Sequence, residues 1–190
     1  PTQPSPDLAA AAAPVSEALK REVDPSRWVV DPADSALRFE TRWGDQAIRG
    51  RFSTFDADIR FDPDNLAKSR VRVGVELASV STGDAERDGQ LPGPDWFAAS
   101  ENPRAIFDAE DFRRTGENRY TARGRLNLRG VSRPVTLRFT LRIDGDTARA
   151  TGTTTLDRTA FGVGQGQWAS TDQIPAEVKV DFQILARRQR

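Results

Sequence analysis

The 190-residue chain contains no cysteine and no histidine. Without cysteine there is no disulfide, no thiolate metal site and no thiol nucleophile. Without histidine the commonest general base and the commonest metal ligand are gone, along with every triad built on an imidazole. Few hydrolases or metalloenzymes can be assembled from what remains. Lysine is scarce: Lys20, Lys68 and Lys179 stand alone among 28 basic residues. Neither sign of charge is in excess, since 28 acidic residues balance the basic ones and the pI is about 7.0. A nucleic-acid partner, which demands a basic surplus to displace counterions, is not expected. No stretch reaches the roughly 18 consecutive apolar residues of a membrane span, and mean hydropathy is −0.60. The length fits one domain.

Methionine is absent too, so we expect the first 26 residues to be a flexible tether left by a removed export signal. Pro1 to Pro6 is rich in Pro, Ser and Gln, and Ala9 to Ala13 is an alanine run. Val15 to Lys20 has the composition of one or two helical turns, and a short helix packed on the domain or on a partner is the alternative. A single β domain is expected over 27–190.

From Trp28 onward the pattern has a period of two. Leu37, Phe39, Thr41 and Trp43 alternate with charged residues, then Ile48, Gly50 and Phe52, then Phe55, Ala57, Ile59 and Phe61. Val71, Val73, Val75 and Leu77 follow, then Ala105, Phe107 and Ala109. Tyr120 to Leu128, Val135 to Ile143, Ala148 to Leu156 and Val178 to Ala186 complete about nine runs. One wet face per strand predicts an antiparallel all-β protein. The alternation stops from Ser81 to Pro103, where cap-type residues precede Leu91, Trp96 and Phe97; one or two short helices are expected there. It stops again from Asp157 to Pro175, where Gly162, Gly164 and Gly166 recur every second residue without phosphate-cradle spacing.

Many inward positions are small, among them Ala122, Ala148 and Gly152. In a barrel of about eight strands such residues leave room for one ligand. Facing large partners such as Phe39 and Phe139, they equally fit a core filled by side chains. Acids around Arg87 suit a helix N-terminus better than a cation site, so no metal ligand is assigned. Asp88 beside Arg87, and Asp157 beside Arg158, suggest ion pairs that fix loops, or less favourably the carboxylates of a hydrolase. Serine and threonine have no imidazole to activate them, and no catalytic residue is assigned.

Six segments, in order, resemble the YceI-like family. They are Trp28-Val29-Val30-Asp31-Pro32-Ala33-Asp34-Ser35 with Leu37 and Phe39; Gly50-Arg51-Phe52 with Phe55 and Phe61-Asp62-Pro63; and Thr82-Gly83 running through Arg87-Asp88 and Leu91 to Asp95-Trp96-Phe97. Asn102-Pro103 to Phe107, Gly124 to Val135, and Asp157-Arg158-Thr159-Ala160-Phe161-Gly162 follow. The resemblance implies an extended, lipocalin-like antiparallel β-barrel of about eight strands with a short helical insertion. It also implies an apolar channel for an isoprenoid chain, such as a polyprenyl quinone, or a fatty amide, in a bacterial protein that is periplasmic or secreted.

The expected lining is Phe39, Trp43, Ile48, Phe52, Phe55 and Ile59 from the early strands, with Val73 and Val75. Leu91, Trp96 and Phe97 come from the helical insertion. Phe107, Ala122, Leu126, Leu128, Leu137, Phe139, Ala148 and Gly152 come from the later strands, and Phe161 and Trp168 from the glycine-spaced loop. Arg87, Asp88, Asp157 and Arg158 are placed at the mouth. No cofactor is required, the isoprenoid quinone being cargo. The expected partners are that lipid, a transient membrane contact and a second copy of the chain in a homodimer. A side-chain-filled interaction barrel and a carboxylate-dependent hydrolase are the alternatives. Relatives often carry histidines where this chain has Thr41-Arg42-Trp43, Arg129 and Asp34, which implies a different contact with any head group.

Overall fold

A computed structural model of the chain describes residues 24–189, so the tether expected over 1–26 lies almost wholly outside the described residues. Eleven strands form one continuous antiparallel sheet. They are β1 (Arg27–Val30), β2 (Ala36–Trp43), β3 (Gln46–Phe52), β4 (Phe55–Arg60), β5 (Arg70–Glu76), β6 (Val80–Ser81), β7 (Arg104–Gly116), β8 (Arg119–Leu128), β9 (Val131–Asp144), β10 (Thr147–Asp157) and β11 (Glu177–Arg188). One six-residue helix, α1 (Ala85–Gln90), interrupts them. Among the described residues no helix is long and apolar enough to cross a membrane.

The sheet closes because β11 pairs with β10 along one edge and with both β1 and β2 along the other. β1 and β2 are thus one strand path, broken by a 3₁₀ turn at Pro32–Asp34. Proline cannot donate to a ladder there, and the Asp31 carboxylate caps the turn by accepting from the Ala33 N–H at 3.1 Å. β3 and β4 form a second broken path, pairing with β2 and β1 respectively. β5 and β6 form a third, interrupted at Leu77, which is 2% exposed. Ser79 ties these breaks together: its hydroxyl accepts from the Thr54 N–H at 3.1 Å and its carbonyl accepts from the Ser53 N–H at 3.2 Å. With β7 to β11 unbroken, eight paths make a closed antiparallel barrel, as the alternating pattern and the family resemblance predict.

β7 departs from the expected pattern. It continues beyond Ala109 to Gly116, and a bulge sets Ala109 opposite Gly124 but Asp111 opposite Arg123. The additional residue, Glu110, reverses the alternation, so Phe112 faces inward where a strict period of two points it outward. At this end of the barrel the rings of Phe112, Tyr120 and Phe139 surround Phe61, with centroids 5.3, 5.6 and 6.3 Å away. The Trp28 indole N–H donates to the Phe61 carbonyl at 3.0 Å. This aromatic floor closes one end, and the segments between β6 and β7 and between β10 and β11 cover the other.

Candidate functional site

Between floor and lid lies a cavity of about 350 Å³ whose exposed wall is apolar. Every strand path contributes to it. Val73, Val75, Leu137, Phe139, Val180 and Ile184 point inward yet are only half-buried. Inward apolar residues that keep accessible surface border a space that side chains do not fill. The volume sits near the lower end of the range for small-molecule sites.

The lid is held by backbone and arginine. The Asp84 carboxylate caps α1 by accepting from the Arg87 N–H at 3.0 Å. Asp88 turns back to accept from the Thr82 N–H and hydroxyl at 2.8 and 2.6 Å. The Asp95 carbonyl accepts from the N–H groups of both Gly164 and Gln165 at 2.8 Å, joining the two covering segments. Arg129, at φ 59° in the β8–β9 hairpin, donates through Nη2 to the Pro94 carbonyl at 2.7 Å.

Arg158, 4% exposed, is the hub of the second segment. Its guanidinium has five N–H donors, and they go to the carbonyls of Pro175, Val163, Trp168, Ser170 and Ile174 at 2.8–3.1 Å. Burial lowers its pKa from the free arginine value, while the Asp157 charge opposes that shift. Asp157 itself turns outward. The Thr159 hydroxyl holds its carboxyl below the ordinary range against the upward push of burial, aided by the Thr159 and Ala160 N–H groups and the Arg158 charge.

Most of the expected lining faces the cavity: Phe39, Phe52, Phe55, Ile59, Val73, Val75, Leu91, Trp96, Phe97, Phe107, Ala122, Leu126, Leu128, Leu137, Phe139, Ala148 and Phe161. Four residues do not. Trp43 is 44% exposed, and its indole N–H donates to Gln173 Oε1 at 3.1 Å on the outer rim. Trp168 packs between Trp43 and Trp96, 5.4 and 5.5 Å from their rings, behind the wall. Ile48 is buried opposite Thr41 but outside the wall. Gly152 lies under the Phe182 ring, so it leaves no space for a ligand.

Neither expected rim ion pair forms. Asp88 is taken by Thr82, Asp157 by Thr159, and Arg158 by carbonyls. Among the wall residues that the expected lining left out are Trp28, Phe61, Phe112, Val178, Val180, Phe182 and Ile184. The alternation of β11 could have disclosed the last four; only the bulge explains Phe112. Thr41 also lines the cavity, and Thr41 Oγ1 and Arg129 Nε are the buried side-chain atoms without a hydrogen-bond partner among the described residues.

The sequence profile of the YceI-like domain matches residues 28–186. The chain belongs to the YceI-like family. Similar YceI-like relatives are bacterial. A UPF0312 protein of Pseudomonas aeruginosa is 31% identical over 140 residues, covering 70% of this chain and 73% of that protein. One from Photorhabdus laumondii is 38% identical over 98 residues, and the match spans 50% of its length. Burkholderia cenocepacia BcnA superposes with a TM-score of 0.79 at 31% identity, covering 82% of this chain and 98% of BcnA. A polyisoprenoid binding domain from Saccharophagus degradans shares the YceI-like fold at 14% identity, with a TM-score of 0.67 over 86% of this chain and 99% of that domain.

Proposed function

We propose that this protein binds a long-chain apolar lipid, of the polyisoprenoid, isoprenoid-quinone or fatty-amide class, inside the barrel. It carries, stores or sequesters that lipid without a covalent step, in the periplasm or outside the cell. The observation that carries this reading is the unfilled interior bounded by apolar side chains from every strand path, many of them only half-buried. The polyisoprenoid binding domain that shares the fold lends it support. A carbon takes about the 30 Å³ that a water molecule occupies in the liquid, so 350 Å³ holds about a dozen carbons. A longer tail displaces lining rings or extends through the lid. Burial of that dozen is worth about 10 kcal/mol against water, but the lipid leaves a membrane, where the exchange is nearly balanced. With an exposed wall that is wholly apolar, selectivity therefore falls to the length and shape of the chain.

The mouth carboxylates fit a binding role better than acid–base chemistry. Asp157 is held ionised, the wrong state for a general acid, and Asp88 is engaged by Thr82. Organic extraction of the purified protein followed by mass spectrometry tests the reading. A lipid recovered in near-stoichiometric amount is expected. Protein that yields none, and takes none up from detergent micelles, overturns it.

A further inference from the structure

The chain is electrically neutral, but its barrel is not uniformly so. On the outer face of β8, β9 and β10 stand six exposed arginines: Arg119, Arg123, Arg125, Arg138, Arg142 and Arg149. Threonines fill much of the space between them, and the strands carry no carboxylate except Asp144 and Asp157 at their last residues. None of the six is in an ion pair; the pairs among the described residues lie on other strands and beside β1. Asp108 and Asp111 sit opposite Arg125 and Arg123 in register, yet they pair with Arg72 and Arg113, each at 3.5 Å. Arg142 lies directly opposite Arg149. Like charges in that position destabilise a sheet, so folding offers no reason for this arrangement.

The same face carries an open seam. Pairing of β9 with β10 ends at Arg138 opposite Thr153, although β9 begins at Val131 and β10 runs on to Asp157. In its place the Thr154 hydroxyl donates to the Thr136 carbonyl at 2.9 Å. Pro134, with no N–H to offer, lies in this unpaired stretch, as prolines in sheets do. A groove outside the seam is lined by Arg133, Arg138, Thr136, Thr153 and Thr155, with one carboxylate, Asp157, at its end. Val135, Thr154, Leu156 and Phe161 border both that groove and the cavity.

We propose that the arginine face of β8–β10 docks on an anionic lipid bilayer, bringing the β9–β10 seam to the membrane as a lateral route to the cavity. The inference rests on the lipid-binding reading for its choice of partner: any polyanion matches the arginines, but only a bilayer also supplies an apolar ligand for the cavity behind the seam. Phosphate head groups suit guanidinium forks. The attraction is electrostatic and weakens as salt shortens the Debye length.

Flotation of the full chain with phosphatidylcholine vesicles, with and without phosphatidylglycerol, tests it. Binding is expected only with phosphatidylglycerol, and less at high salt. At about fivefold per arginine, the triple substitution Arg123→Gln, Arg142→Gln, Arg149→Gln lowers partitioning by about a hundredfold. The single substitution Arg142→Glu, which sets a carboxylate opposite Arg149, weakens flotation without lowering the melting temperature, separating docking from folding. Flotation independent of phosphatidylglycerol, undiminished flotation of the triple variant, or binding to heparin or DNA with none to vesicles overturns the proposal. Lipid uptake from detergent micelles, which needs no docking, is unchanged in the triple variant. Chains that float with phosphatidylglycerol but take up no lipid retain the docking surface and refute the cargo reading alone.

Discussion

Arg158 shows how one side chain can organise a loop by giving every donor it has to backbone. Each buried carbonyl left unpaired costs about 1–3 kcal/mol, and five depend on this guanidinium. Arg158→Met is therefore expected to lose more than about 4 kcal/mol in denaturant melts, the exceptional range for one substitution. Arg158→Lys, with three donors for five, falls between. Beside it, Asp157 makes a smaller, pH-dependent contribution. Its folded pKa lies below the ordinary value of about 3.9. The stabilisation is therefore present above that ordinary value and is lost as pH falls through the folded one. Asp157→Asn should flatten that part of the acid limb in urea midpoints measured against pH. A midpoint that rises on acidification in the native protein would contradict the sign. From sequence, Arg158 next to Asp157 reads as an ion pair, because neighbours in the chain are visible there and carbonyls five to seventeen residues away are not.

β10 shows how two positions on one strand face can differ. Ala150 is half-buried and borders the cavity. Two residues on, Gly152 lies under Phe182, and a Cβ there would stand 2.7 Å from the Arg138 carbonyl oxygen. Ala150→Phe is expected to displace ligand while the melting temperature holds, since the ring enters empty space. Gly152→Phe should instead destabilise by about 3 kcal/mol or more through collision with backbone. Thermal melts paired with bound-lipid mass spectrometry check both, and equal behaviour of the two variants would contradict this account. In the sequence Gly152 reads as a small inward residue keeping a channel open, and Ala150 shares its parity on the same strand. Parity shows which face a residue takes, but not whether a ring from the next strand already covers it. The bulge in β7 sets the same limit: Glu110 shifts the phase, and no turn residue announces it.

For the molecule as a whole, a ligand that binds the folded barrel and not the unfolded chain must raise its stability by mass action. At a hundredfold excess over Kd the gain is about 2.7 kcal/mol, or about 5–10 °C for a domain of this size. Delipidated protein should show that rise on adding a medium-chain isoprenoid alcohol, followed by scanning calorimetry, and Ala150→Phe should abolish it. A flat response in the parent chain would mean that the interior does not take this class of ligand.

The all-β class, the antiparallel pairing, the site of the helical insertion and part of the cavity wall were legible in the residues alone. Period-two alternation is local and repeats along every strand, and the motifs from Trp28 to Phe161 carried the family resemblance. Tertiary structure decided the rest. The three broken strand paths depend on which edges of β11 are available, and the unfilled volume depends on ring positions across strands. The fate of Arg158 depends on loop carbonyls converging from a distance. The arginine face is the plainest case: 28 charges of each sign sum to nothing in the sequence, and only the closure of β8, β9 and β10 side by side separates them in space.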